Sequence, residues 1–169
     1  ALSVPLQLVY VAGTFFLGSP LPLAGQLYVI AEQQSEVRLL ALDALTGRSE
    51  WSQPLAILER NISQEPVRRL AGVSPSYGEG VLVCPTAAGG VVAVDLTSRA
   101  LLWGYRYENL PENSDWQMAA GPFNVRPPFN RTGTRRNATP HWVDSSATIV
   151  GRSVLLSPVE SDELHCLDL

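Results

Sequence analysis

The sequence predicts an all-β chain built from about three copies of a four-stranded antiparallel unit, the last copy incomplete. Three observations predict it. Ala41-Leu42-Asp43-Ala44-Leu45-Thr46-Gly47-Arg48-Ser49-Glu50-Trp51 returns as Ala93-Val94-Asp95-Leu96-Thr97-Ser98-Arg99-Ala100-Leu101-Leu102-Trp103, so Asp and Trp both recur at a spacing of 52 residues. A third copy begins at Cys166-Leu167-Asp168-Leu169. A short hydrophobic run precedes each Asp, at Leu27 to Ile30, Val81 to Cys84 and Val154 to Ser157. The thirteen Gly and thirteen Pro interrupt the apolar runs at intervals shorter than a helix needs.

The first charged residue is Glu32, which raises the question of a membrane segment at the start of the chain. Pro5, Pro20, Pro22, Gly13, Gly18 and Gly25 break that stretch below the 18 or more consecutive apolar residues of a spanning helix. Neither a basic leader nor a small-residue cleavage site is visible, so a signal, if the parent is exported, is expected upstream of Ala1. The first unit then occupies residues 13–56. In the second, 72–107, strands are expected near 72–77, 81–85, 91–96 and 101–107, joined by Gly78-Glu79-Gly80, Ala88-Gly89-Gly90 and Thr97-Ser98-Arg99. The third unit is 145–169. Aligned on their hydrophobic runs, the copies put Cys84 level with Ile30 and Ser157, and Cys166 level with Ala41 and Ala93.

Within each unit the recurring residues have physical tasks. An Asp that ends the third strand can accept hydrogen bonds from N–H groups two or three residues on, and Gly47 supplies a positive φ for the turn. The Trp eight residues after the Asp returns along the fourth strand with about 200 Å² of ring to bury, more than one meander can cover. Neighbouring units must therefore stack on it. Asp43, Asp95 and Asp168 read as turn residues, and Ala41, Gly47, Trp51, Ala93 and Trp103 as docking residues. Cys84 and Cys166 lie in apolar segments without metal-ligand spacing and are expected to be buried, separate thiols.

Ala-x-Asp-x-x-Thr-Gly-x-x-x-Trp resembles the tryptophan-docking repeat of the quinoprotein-type, or PQQ-like, β-propellers. The first copy matches throughout, whereas the second has Ser98 and Arg99 where Thr-Gly is usual. Including Arg68-Arg69-Leu70-Ala71-Gly72 and Leu102-Trp103-Gly104-Tyr105-Arg106-Tyr107, the chain is most similar to planctomycete-type repeat proteins. The resemblance implies a partial β-propeller whose units are blades, excised from a longer chain, in a periplasmic or extracellular setting. It also implies two functions: a noncatalytic scaffold of an envelope or secreted protein, or a segment of a quinone-dependent dehydrogenase holding PQQ and calcium. Dehydrogenases of this family commonly carry adjacent cysteines, which this chain lacks, so its residues favour the scaffold, with no catalytic group, cofactor or metal. No phosphate loop, nucleophile elbow or zinc motif appears, and His165 in an apolar strand reads as a core histidine.

Charge narrows the partners. Sixteen acidic against twelve basic residues, all of the latter Arg, leave −4, which excludes the cationic footprint of a nucleic-acid binder. The expected partner is a protein or another domain of the same chain, with no membrane insertion by this segment. The step from Asp95 to Asp168 is 73 residues, so an insertion, 108–144, stands between the second and third units. It interleaves Arg131, Arg135 and Arg136 with Trp116, His141 and Trp142, a composition suited to an anion-contacting, aromatic-anchored binding surface. Against this stands pairing of the arginines with Glu160, Asp162 and Glu163. Three sequons, at Asn61, Asn130 and Asn137, mark polar loops that can carry glycan where the source glycosylates.

Overall fold

A computed structural model describes residues 13–107, 145–158, 161 and 163–169. They form twelve strands in three antiparallel sheets. In the first, β1 (Thr14–Phe16) and β2 (Leu21–Leu23) pair with opposite ends of β3 (Gln26–Gln33), which continues to β4 (Glu36–Asp43) and β5 (Ser49–Ile57). β1 and β2 are thus one outer strand interrupted around Gly18 and Pro20, where proline removes a ladder donor. The second sheet orders β6 (Ser76–Gly78), β7 (Val81–Pro85), β8 (Gly90–Asp95) and β9 (Leu101–Arg106). The third has β10 (Thr148–Val150), β11 (Ser153–Leu156) and β12 (His165–Asp168) among the described residues. A 3-10 turn at Ile62–Gln64 and a four-residue helix, α1 (Pro66–Arg69), lie in the connector between the first two sheets.

The strands of the second unit fall close to their expected places, but its first strand starts at Ser76 rather than near residue 72. The residues ahead of it serve the neighbouring sheet instead. The Val73 N–H donates to the Leu17 carbonyl at 2.9 Å, and a Cβ on Gly18 would lie 2.1 Å from the Val73 oxygen. Glycine at 18 is what lets the two backbones touch.

The strand register corrects the alignment of the copies. Tyr28 stands opposite Ala41, Val83 opposite Ala93, and Leu155 opposite Cys166. Cys84 is therefore level with Val29 and Leu156, one residue away from the expected Ile30 and Ser157. The first two hydrophobic runs are buried on both faces, so no alternation fixed their parity, and a slip of one residue exchanges the faces. With this register the packing is simple. Tyr28, Ile30, Leu39 and Ala41 of the first sheet meet Leu82, Cys84 and Val94 of the second. Val83 and Val91 on the other face of the second sheet meet Val154 and Leu156 of the third. Fully burying side chains such as Ile30, Leu39 and Leu82 stabilises the seams by about 1.5–3 kcal/mol each.

The same register explains the two cysteines. Cys84 is free and buried in the first seam, where loss of solvation pushes its thiol pKa up. Cys166 is also free but exposed, contrary to expectation, because it lies on the face of β12 opposite His165, the residue that packs against the second sheet.

Candidate functional site

The repeat motif lies where β4 turns into β5 and β8 into β9. One Asp43 Oδ1 accepts from the Leu45 N–H (3.2 Å), the Thr46 N–H (2.6 Å) and the Thr46 hydroxyl (2.6 Å). Asp95 Oδ1 accepts from the Ser98 N–H and hydroxyl, both at 2.6 Å. The hydroxyl bond, followed by the backbone bond, holds each carboxyl below its ordinary pKa. Gly47 has φ +67, and Arg99, at the glycine position of the second copy, adopts φ +59. The turn is therefore the same in both copies, although an L side chain in this region is strained by about 1–2 kcal/mol. Asp168 has a different partner, accepting from the Arg152 guanidinium at 3.1 Å.

Immediately before each Trp the ladder skips a residue. Ala41 pairs with Trp51 while Leu42 pairs with Ser49, and Ala93 pairs with Trp103 while Val94 pairs with Leu101. This β-bulge, at Glu50 and Leu102, recurs at one repeat position and brings each indole onto the inter-sheet face beside Ala41 or Ala93. Both indoles are half-buried, less than the full burial expected of docking residues. Trp51 lies edge-on to Tyr28 (centroids 5.9 Å apart) and under the Arg99 guanidinium (5.3 Å) of the next sheet. The bulge residue Glu50 accepts from Gln26, and Gln26 accepts from the Tyr28 hydroxyl. Trp103 packs against the second seam, but its Nε1 is buried without a hydrogen-bond partner among the described residues.

The opposite rim, formed by the β3–β4 and β7–β8 turns and by the chain entering and leaving each sheet, carries more varied chemistry. Gln34 (φ +50) and Ser35 (φ +64) make the β3–β4 turn, and the Ser35 carbonyl accepts from the Leu58 N–H. Beside it lies a polar cavity of about 270 Å³ lined by Gly13, Gln33, Gln34, Glu36 and Arg38. Glu32, 1% exposed, accepts from the Ile62 N–H (2.8 Å) and from Arg68 Nε (3.0 Å), while Arg68 donates to the Arg60 carbonyl (2.7 Å). This buried pair clamps the connector to the first sheet. Farther around the rim, His165 stacks on Tyr107 (5.1 Å) and meets Tyr105 edge-on (5.7 Å). Its two ring nitrogens face the Tyr105 hydroxyl (3.5 Å) and the Ser161 hydroxyl (3.4 Å), which is the setting of a core histidine.

Trp116, Arg131, Arg135, Arg136, His141 and Trp142 lie outside the described residues, as do Glu160 and Asp162. What the structure gives is their point of departure: the chain leaves the rim at buried Tyr107 and is next described at buried Ser145. Sequence reasoning missed the Glu32–Arg68 clamp. Its signal was a carboxylate inside an otherwise apolar strand, which requires a buried partner.

Among the described residues no three of His, Cys, Asp and Glu gather to hold a metal ion, and the recurring Asp43 and Asp95 carboxylates are bonded within their own turns. No described helix is long and apolar enough to cross a membrane.

The chain is similar to solved propellers over most of its length. It matches the structure of BamB from Moraxella catarrhalis with a TM-score of 0.55 and 14% identity, covering 89% of this chain and 35% of that one. A europium-containing methanol dehydrogenase matches at 0.49 and 16% identity, covering 94% of this chain and 25% of that one. The chain thus spans about a third or less of either structure's length. No curated protein sequence matches it. The family model for the outer membrane protein assembly factor BamB, a PQQ-like repeat model, matches residues 10–137. With its repeated Asp-turn and Trp, three stacked antiparallel sheets and this match over most of its residues, the chain belongs to the BamB-like family of PQQ-repeat β-propeller proteins.

Proposed function

We propose that this chain is a noncatalytic propeller segment of an envelope or secreted protein that holds a protein partner, or another domain of its own chain, at the rim where the insertion 108–144 departs. The observation that carries this reading is the division of labour between the two rims. On one, the recurring carboxylates and indoles are taken up by turns and seams. The other carries the polar cavity beside the first sheet, the clamped connector between the first and second, and the points where the insertion leaves the second sheet and the chain is next described at the third. Membership in a family named for an outer membrane protein assembly factor supports an extracytoplasmic, protein-binding role.

In this reading Arg131, Arg135 and Arg136 contact an anionic partner group, Trp116 and Trp142 are anchors, and His141 lies with them. No PQQ or calcium is required. The test is replacement of Arg131, Arg135 and Arg136 by Ala in the full-length protein, followed by quantitative capture of partners from envelope extract and thermal unfolding. Weakened capture at an unchanged melting temperature supports the reading. Unchanged capture, or a large loss of stability, assigns the insertion to architecture.

A further inference from the structure

The connector between the first two sheets carries a feature that neither the repeat nor the clamp accounts for. Asn61-Ile62-Ser63 is an N-glycosylation sequon, and of the three in the chain it alone has an acid two residues before the asparagine: Glu59, against Pro128 and Arg135 for Asn130 and Asn137. A carboxylate at that position is what one class of bacterial oligosaccharyltransferase grips with a cationic side chain. The fold presents this pentapeptide outward. Glu59, Arg60 and Ser63 are exposed and Asn61 is half-exposed, while Ile62, 2% exposed, points into the core and fixes the segment.

The local geometry is compatible with modification. Asn61 has extended backbone (φ −70, ψ 151) and caps the 3-10 turn by accepting the Ser63 N–H on Oδ1 at 3.0 Å. Glycosylation replaces one hydrogen on Nδ2 and leaves Oδ1 an acceptor, so cap and glycan coexist. From these observations we infer that Asn61 is an acceptor for N-linked glycan, donated by a polyprenyl-diphosphate-linked oligosaccharide. Nδ2 attacks C1 of the reducing-end sugar, and the C1–O bond to the diphosphate breaks. The electron pair leaves with the lipid diphosphate, and the proton lost from nitrogen is taken up by a base of the transferase. Nothing is oxidised or reduced. The glycan stands on the connector that the Glu32–Arg68 pair holds rigid, and so marks a sector of the rim that a protein partner must leave open.

The reaction requires export, and in that respect the inference rests on the extracytoplasmic reading above; the test removes this dependence by supplying a cleavable signal peptide. The whole chain, with a second Glu-Arg-Asn-Ile-Ser copy appended after Leu169, is exported to a bacterial periplasm containing an acid-requiring oligosaccharyltransferase and its lipid-linked donor. Intact mass and peptide mapping are read. The expected result is glycan on Asn61 and on the tail, but not on Asn130 or Asn137. Asn61→Gln abolishes the first, Glu59→Gln lowers it at least tenfold, and the tail is unaffected by either. Ser63→Ala also abolishes it while retaining the backbone N–H that Asn61 caps, so loss there is not a folding effect. A glycosylated tail with bare Asn61, or glycan on Asn61 that survives Ser63→Ala, overturns the inference.

Discussion

The two seams place the same indole at the same repeat position and support it differently. In the first, Trp51 is flanked by Tyr28 and covered by Arg99 from the second sheet, while the Glu32–Arg68 pair ties the connector down at the far end. In the second, Trp103 has a buried indole nitrogen with no partner among the described residues, and the aromatic contacts lie toward the rim, in the stack of Tyr105, Tyr107 and His165. The difference teaches that the Asp-turn of one sheet is half of the Trp site of the sheet before it. The first repeat is completed by the second.

The largest effect that breaks this comparison is loss of the clamp. Removing one partner of a buried ion pair leaves the other charge unpaired, so Glu32→Ala or Arg68→Ala is expected to cost about 3–5 kcal/mol. Hydrogen exchange should show connector 58–72 opening while β7 and β8 keep their protection. If both mutants unfold by less than about 1 kcal/mol in urea, the clamp does not organise the first seam.

Next come the indoles. Half-buried rings lose less than fully buried ones, so Trp103→Ala is expected to cost about 2 kcal/mol. Trp51→Ala should cost about 1 kcal/mol more, because the Tyr28 edge contact and the Arg99 cation–π contact go with it. Equal costs in denaturant titrations would mean that Arg99 contributes nothing to the first seam.

Smaller still is the turn pair, where the two copies differ in sequence. Gly47→Ala puts a Cβ at φ +67 and should destabilise by about 1 kcal/mol. Arg99→Gly relieves the same strain but removes the guanidinium from Trp51, and a cation–π contact of about 0.5–1 kcal/mol together with the extra unfolded-chain freedom of glycine, about 0.4–1 kcal/mol, offsets most of the relief. Its melting temperature should stay near that of the parent, and a marked rise would assign Arg99 to strain alone.

The smallest effect is pH dependence. Asp43 and Asp95 have folded pKa values held below 3.8 by their turn donors, so their stabilisation is present above the ordinary carboxylate pKa and is lost as pH falls through the folded values. Asp43→Asn and Asp95→Asn should each flatten the acid limb of a melting-temperature profile below about pH 4 and leave the profile near pH 7 parallel to the parent.

Much of this was legible without coordinates, because local chemistry enforced it. The Asp-x-x-Thr-Gly spacing allows one compact turn, Trp eight residues after Asp demands a neighbour to cover it, and Gly-bearing turns at short intervals leave only hairpins. The class, the repeat and the approximate strands of residues 81–106 follow from such rules. Parity did not: β7 reads Val81-Leu82-Val83-Cys84-Pro85, apolar at every position, so only the pairing of Val83 with Ala93 decides that Cys84 faces the first sheet. Nor could spacing reveal that Glu32 and Arg68, 36 residues apart, would meet at 3.0 Å, that Arg99 would take a glycine's conformation and cover Trp51, or that Cys166 would face outward. The sequence by itself determined the repeating unit, since each turn and strand is specified by residues within about ten positions of one another. Only the tertiary structure decided the faces, the clamp and the sharing of each Trp between two sheets, because those contacts join residues far apart in the chain, and local propensity carries no term for them.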